Sequence, residues 1–583
     1  MPYTLTIPDP MPVDGYRKLT PLEMMQRQRA LTCIRSKESA QCQGQVYATV
    51  FFDGTGNNMD WQEPGTSGKQ QDLGKHSNIA RLFNARFDEP ENGFFSYYIP
   101  GAGTPFEKIG DHDGGAIAYG QRTLGGIGGY MGADRINWGI TRVYNAVHAY
   151  ITDGALLFSD DQAKIIVNNM SSSVGALTFE NSYRRRVLHT WEEKLAAVVQ
   201  KSQRHITQIN VAVFGFSRGA AEARTFTHWL SELLQQQDGG YALAGVPLRI
   251  YFMGLFDTVA SVGIPDMIPG INGHMAWADG TMHIPSSVEQ CVHFFALHEQ
   301  RACFPLETAA NVRQMAYPGM HSDVGGGYLP TEQGKLSQLS QIPLNDMHYE
   351  AFKAGVPVLS REDIDLQTKL KADFFTPPDL VKAYNAFWST CGIGAASSTA
   401  AASDFIRQHT HQYLQWRGGL LQRGQALDTR GFYQRAGAKD KDDLRNAQDD
   451  FAKQTAALRD RLRATDGGTD DVLDHAVAMQ FSRLLVDDPL QPVDATTREL
   501  LAAVDTDASL PEEVRQFMDN YVHDSRAGFR DIPKCGLEPH RMTGGYLRYR
   551  SVFQNDRDVT KVASTEVTPS NAGAVSGPAV ELA

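Results

Sequence analysis

No stretch of the 583 residues approaches the roughly 18 consecutive apolar residues that a membrane-spanning helix needs. The first residues, Met1 to Asp14, have neither the basic start nor the apolar core of a Sec-type signal peptide, so the expectation is a chain made in the cytoplasm without such a leader. Positive charge is also short: 55 Lys and Arg against 67 Asp and Glu leave a net charge of −12. Affinity for nucleic acid rests on Lys and Arg neutralising phosphates, so this balance argues against a nucleic-acid partner. Six cysteines are scattered without a C-x-x-C pair, which points to isolated buried thiols rather than a zinc or redox site. Cys33 and Cys42 are near enough in sequence to close a small loop in an oxidising space. Gly65-Thr66-Ser67-Gly68-Lys69-Gln70 lacks the spacing and final hydroxyl of a P-loop, and no strand runs into G-x-G-x-x-G with an acidic residue beyond. His409 and His411 are two apart and are expected at the surface on different sides of a helix. No cofactor and no metal site is expected.

What is present is the composition of a folded protein, with 42% apolar and 21% charged residues. Val46 to Phe52 is a short apolar run rich in β-branched and aromatic residues, ending in Asp53-Gly54-Thr55-Gly56, and reads as a buried strand and a tight turn. Similar runs recur at Phe94 to Ile99, Ile209 to Phe214, Leu248 to Phe256 and Val292 to Leu297. Between them, Ala133, Ile136, Ile140, Val143 and Val147 step by three and four, which makes one apolar helix stripe with Arg135 and Arg142 facing elsewhere. Continuous apolar strands alternating with such helices imply an α/β architecture, a mostly parallel sheet with helices on both faces.

After about Pro330 the character changes. Leu444, Ala447, Phe451, Thr455, Leu458 and Leu462 show helical spacing, and a largely helical cap or accessory module is expected. The boundaries read as an N-terminal extension over 1–45, a catalytic core over 46–343, the helical module over 344–485, a segment returning to the core over 486–559 and a mobile tail over 560–583. Tyr546 to Phe553 reads as a late strand.

The chemistry centres on Val211 to Ala221, a buried strand running into Gly215-Phe216-Ser217-Arg218-Gly219 and then a helix. In a nucleophile elbow the serine sits on a strained strand-to-helix turn, and the flanking glycines leave room for neighbouring backbone. The bare G-x-S-x-G pattern is common by chance, but here it stands in that strand-to-helix context. A serine hydroxyl needs a base to take its proton and a carboxylate to orient that base, and in α/β-hydrolases these follow the serine as acid, then histidine. Asp257 stands where the Leu248–Phe256 run stops, a place where an Asp also caps turns. His321 lies in a glycine-rich loop, Tyr317 to Tyr328, and is expected to be exposed and mobile there. His523 is the rival base and Asp323 a second possible acid. The oxyanion hole needs two amide donors, one from Arg218 and one from Gly54 or Thr55.

Together, Phe52 to Asn58, Ser77 to Leu82, Tyr98 to Thr104, Gly215 to Ala220, Phe256 to Val259 and His321 to Tyr328 resemble, in order, the motifs of a bacterial and fungal α/β-hydrolase domain family. Within it the chain resembles the type VI secretion lipase effectors, family one, over about Val46 to Pro330. The resemblance implies a phospholipase of A1 or A2 type, carried by the secretion spike protein into a rival cell's periplasm, with a cognate immunity protein in the producer. It also makes Ser217, Asp257 and His321 the triad, supported by Asp53, Gly215 and Gly219. Two other readings stay open: a soluble cytoplasmic esterase or thioesterase, and a non-catalytic binding module.

Overall fold

In the strand Gln43–Phe52, Val46, Ala48, Val50 and Phe52 enter one hydrophobic cluster while Tyr47 and Phe51 enter another. A strand that is apolar on both sides is covered on both sides, and each such buried side chain contributes roughly 1.5–3 kcal/mol. The same division holds in the next strand, where Val211 and Val213 face one cluster and Phe214 stacks on Phe51 in the other, 4.9 Å between ring centres.

The computed structural model describes residues 4–32, 43–112, 131–171, 181–237, 239–261, 276–310, 312–393, 401–421, 426–466, 493–506, 510–529, 545–555 and 557–559. Its strands are β1 Thr4–Thr6, β2 Gln43–Phe52, β3 Phe94–Ile99, β4 His205–Phe216, β5 Gln235–Gln237, β6 Gly240–Leu243, β7 Val246–Phe256, β8 Cys291–Ala296, β9 Leu306–Thr308, β10 Arg313–Tyr317, β11 Val552–Gln554 and β12 Arg557–Asp558. The main sheet runs β1-β10-β8-β7-β4-β2-β3, parallel at every step, with β5 and β6 added antiparallel beside β7.

The helices of the first half are α1 Pro21–Thr32, α2 Asn78–Asn84, α3 Gly132–Ile151, α4 Asp160–Met170, α5 Asn181–Lys201, α6 Arg218–Leu233 and α7 His321–Gly325. Those that follow are α8 Gln341–Ala354, α9 Arg361–Asp365, α10 Thr368–Phe374, α11 Pro378–Thr390, α12 Ala402–Gly419, α13 Gly431–Arg435, α14 Ala438–Asp466, α15 Ala495–Val504 and α16 Glu512–Asn520. Helices α3 to α6 cover one face of the sheet, and α2 with the C-terminal helices covers the other in one continuous cluster. The fold is α/β-hydrolase-like with a helical C-terminal portion.

Four local expectations change. Arg135 and Arg142, set apart from the apolar stripe, are buried as well: α3 is enclosed by α4, α5 and α6, and Arg135 gives its guanidinium to Pro100 O (2.8 Å), Thr104 O (2.9 Å) and Asp111 (2.9 Å). His409 is buried, 5.4 Å from the ring of His298, because α12 packs on α15 with its other side against the end of β8; only His411 is partly open. The late strand is short, Val552–Gln554, since Tyr546 bonds instead to Gln454 and Ala447 of α14, both at 2.7 Å. Thr4–Thr6, in a polar stretch with no strand signal, extends the sheet beside β10.

Cys33, Cys42, Cys535 and the tail from Thr560 lie outside the described residues; Cys291, Cys303 and Cys391 are buried free thiols. No described helix is long and apolar enough to cross a membrane.

Candidate active site

Strand register brings the singled-out residues to one edge of the sheet. Phe52 of β2 pairs with Gly215 of β4, Phe216 with Phe256 of β7, and Phe256 with Phe294 of β8, so the turns after these strands end level. Ser217 stands on the first bend of α6 with φ 59° and ψ −126°, a conformation that costs on the order of 1–3 kcal/mol for a residue with a Cβ. It is held there by its N–H on Phe256 O (3.1 Å) and by Val259 N–H on its carbonyl (3.2 Å). A Cβ on Gly219 would lie 2.3 Å from Asp53 O, and one on Gly215 2.5 Å from Gly219 O. Both glycines are therefore needed for helix α6 to start directly on the turn that follows β2.

The candidate acid and base, Asp257 and His321, stand on the other side of β4. Asp257 Oδ2 is 2.5 Å from His321 Nδ1, and Asp257 Oδ1 accepts Ala296 N–H at 2.9 Å. His321 opens α7 and is 3% exposed, so the open position expected from its glycine-rich sequence is not what the fold provides. Its ring contacts Phe216 (4.6 Å) and Phe304 (4.9 Å), and the main-chain N–H of His321 donates to Glu299 Oε2 at 3.1 Å. Burial lowers the imidazole's proton affinity, only partly offset by the Asp257 bond, and keeps it below the ordinary histidine range. A neutral imidazole with Nδ1 engaged by a carboxylate leaves Nε2 as a proton acceptor.

Sequence reasoning missed what holds this pair. Arg550, from the segment before β11, forks onto Asp257 with Nη1 on Oδ1 (2.9 Å) and Nη2 on Oδ2 (2.8 Å). Burial pushes the Asp257 carboxyl up, but the Arg550 charge and the His321 bond outweigh it and hold it well below the usual range. Glu299 takes Arg301 at 2.9 and 3.0 Å and the Ser525 hydroxyl at 2.9 Å; against burial, the Arg301 charge holds its carboxyl at about 2. The one signal in the sequence was a cation inside a strand-like run.

The two rivals engage each other. His523 Nδ1 is 2.6 Å from Asp323 Oδ1, with Tyr328 stacked on the His523 ring at 3.9 Å. Residues 321 and 323 are about 200° apart around α7, so Asp323 faces away from His321. On the oxyanion side, Gly54 N–H is committed to Asp53 Oδ1 at 2.7 Å, while Thr55 N–H has no acceptor among the described residues. Thr55 Oγ1 accepts Arg218 Nε at 2.5 Å, tying together the loop and the residue after Ser217. Buried Asp53 also accepts Tyr98 OH at 2.5 Å, and burial raises its carboxyl to about 6. A surface cleft of about 930 Å³ beside α5, α6 and β6 includes none of Ser217, Asp257 and His321 in its lining.

The family model for the catalytic domain of the type VI secretion phospholipase effectors like Tle1 matches residues 48–242 and 236–350, just over half of the chain. The chain belongs to this family. An uncharacterized protein from Pseudomonas aeruginosa, known from its crystal structure, is similar over 95% of this chain and 85% of that one, at 26% identity and a TM-score of 0.70. The Tle1 effector in its structure bound to the VgrG spike is 20% identical over 49% of this chain and 52% of that one, with a TM-score of 0.25, too low to carry a structural argument. No curated protein matches the chain. The Tle1-like match spans Ser217, Asp257, His321 and the three candidate oxyanion residues Gly54, Thr55 and Arg218, whereas His523, Ser525 and Arg550 lie beyond it.

Proposed function

We propose that this type VI phospholipase effector cleaves acyl esters of membrane phospholipids, as an A1 or A2 enzyme, through a Ser217–His321–Asp257 triad. The observation that carries the reading is the buried Asp257–His321 pair at 2.5 Å, one strand over from a serine held in a strained turn, inside a phospholipase family. Ser217 Oγ attacks the ester carbonyl while His321 Nε2 takes its proton, and Asp257 stabilises the imidazolium. The amides of Arg218 and Thr55 receive the developing oxyanion, Thr55 being favoured over Gly54 because its N–H is uncommitted. His321 then returns the proton to the departing lysophospholipid oxygen, and water, deprotonated by the same imidazole, releases the fatty acid from Ser217.

In this reading residues 46–343 form the catalytic core and 344–485, of which 467–485 lie outside the described residues, an accessory module. The protein acts on a rival bacterium from its periplasm, reaches it on a secretion spike protein, and is countered in the producer by an immunity protein. Family membership supports these roles. The test is hydrolysis of phospholipid vesicles against short-chain soluble esters, with the products weighed by mass spectrometry. Lysophospholipid and fatty acid are expected, with Ser217→Ala slower by more than about 10³-fold. Preference for the soluble esters would replace this reading with a soluble esterase, and failure of a serine-directed phosphonate to label Ser217 would replace it with a binding module.

A further inference from the structure

We propose that Arg550 is a positioning residue for the acid of the triad, so that the acid–base half of the site is complete only when the C-terminal segment has docked. This rests on the reading of Asp257 and His321 as acid and base.

The guanidinium is buried and makes four hydrogen bonds. Besides its fork on Asp257, Nε donates to Phe304 O (2.8 Å) and Nη1 to Ala296 O (3.0 Å), and the Arg550 and Asp257 side chains are 1% and 0% exposed. A planar fork fixes the plane of the carboxylate as well as its place, because rotating the carboxylate breaks both bonds. Oδ2 is thereby held toward His321 Nδ1. The fork is delivered by strand pairing: β11 lies parallel to β9, and Leu306 N–H bonds Ser551 O at 2.9 Å. An orientation set within a sheet turn at Asp257 thus depends on a residue 293 positions later.

The cation also sets the base. The charged groups that act on His321 directly are Asp257 after β7 and Glu299 and Arg301 after β8, the last two neutralising each other; Arg550 acts through its fork on Asp257. The nearby His293, below Asp257, is held neutral by burial, its proton affinity lowered to about 3. Arg550 therefore weakens the pull of Asp257 on the His321 proton and keeps the base neutral at lower pH.

The experiment uses the full chain and phosphatidylethanolamine–phosphatidylglycerol vesicles, measuring kcat, and kcat/KM against pH, for wild type, Asp257→Asn, Arg550→Ala and Arg550→Lys. Arg550→Ala should lose at least about 100-fold in kcat, move the acid limb up by about one pH unit, and recover at least about tenfold with millimolar guanidinium. Arg550→Lys keeps the charge without the fork, so it should keep the limb and KM but lose roughly tenfold in kcat. If Arg550→Ala does not fold, the Arg550→Lys pattern decides alone. Wild-type kcat in Arg550→Lys, or an Arg550→Ala loss with neither limb shift nor guanidinium recovery, overturns the proposal while an inactive Asp257→Asn leaves the triad standing. Full activity in Asp257→Asn removes the triad reading and this proposal with it.

Discussion

The two halves of the site are built differently. The turn at Ser217 is a backbone device: a strained Ser217, two glycines with no room for a side chain, and main-chain hydrogen bonds to the end of β7 and the turn beyond it. The half around Asp257 and His321 is a side-chain device: a carboxylate, an imidazole, a second carboxylate with its arginine, and two groups arriving from residues 525 and 550. Backbone strain can be encoded in consecutive residues, because glycine and strand-to-helix order suffice to specify it. Orientation of a buried charge has to be supplied by whatever the fold brings alongside, at any distance in sequence.

Breaking each half should look different. Replacing Asp257 by Asn lets the imidazole adopt the wrong tautomer, and kcat should fall on the order of 10⁴-fold; because Arg550 also loses its buried charge partner, stability should fall by about 3 kcal/mol, so a stopped assay is read beside denaturant unfolding of the same protein. Gly219→Ala acts on the other half through the fold itself. Its Cβ, 2.3 Å from Asp53 O, forces α6 off the β2 turn, and denaturant unfolding should show a loss of roughly 3 kcal/mol or more. Glu299→Gln strips Arg301, itself only 11% exposed, of its charge partner and should lose about 3 kcal/mol. The pH dependence sharpens this. Glu299 has a folded pKa of about 2 against an ordinary 4.5, so its contribution is present above pH 4.5 and lost as pH falls toward 2. Acid unfolding of Glu299→Gln should be correspondingly shallower between those values.

The same contrast decides what could be read in advance. The central strands were visible because both of their faces are buried, which makes runs such as Val46 to Phe52 continuous. Thr4–Thr6 was not, because it lies on the sheet edge, where only Leu5 enters a core. Ser217 and the strand-end position of Asp257 followed from local pattern and chain order. That His321 would be buried did not, since its walls are Phe216, Phe304 and Glu299. Likewise α12 shows its outward character in sequence only where no second layer covers it, and His409 faces such a layer. Arg550 is one of two arginines, with Arg548, in a strand-like run, and its target is fixed by the β9–β11 pairing, which three residues on each strand do not announce.

The smallest effect tests whether the nucleophile half is as self-sufficient as its sequence suggests. Arg218 Nε and Thr55 Oγ1, 163 residues apart, share a 2.5 Å hydrogen bond that sets the spacing of the two proposed oxyanion amides. Thr55→Val keeps the shape and removes the acceptor, while Thr55→Ser keeps the acceptor and removes a methyl. If the bond positions the amides, Thr55→Val loses roughly tenfold in kcat, about 1.4 kcal/mol, with KM unchanged, and Thr55→Ser stays near wild type. Equal rates in the two variants would mean that the main-chain bonds of the β2 turn, Gly56 N–H on Ala102 O and Asn57 N–H on Gly54 O, already fix the Thr55 amide, and that this half of the site depends on backbone alone.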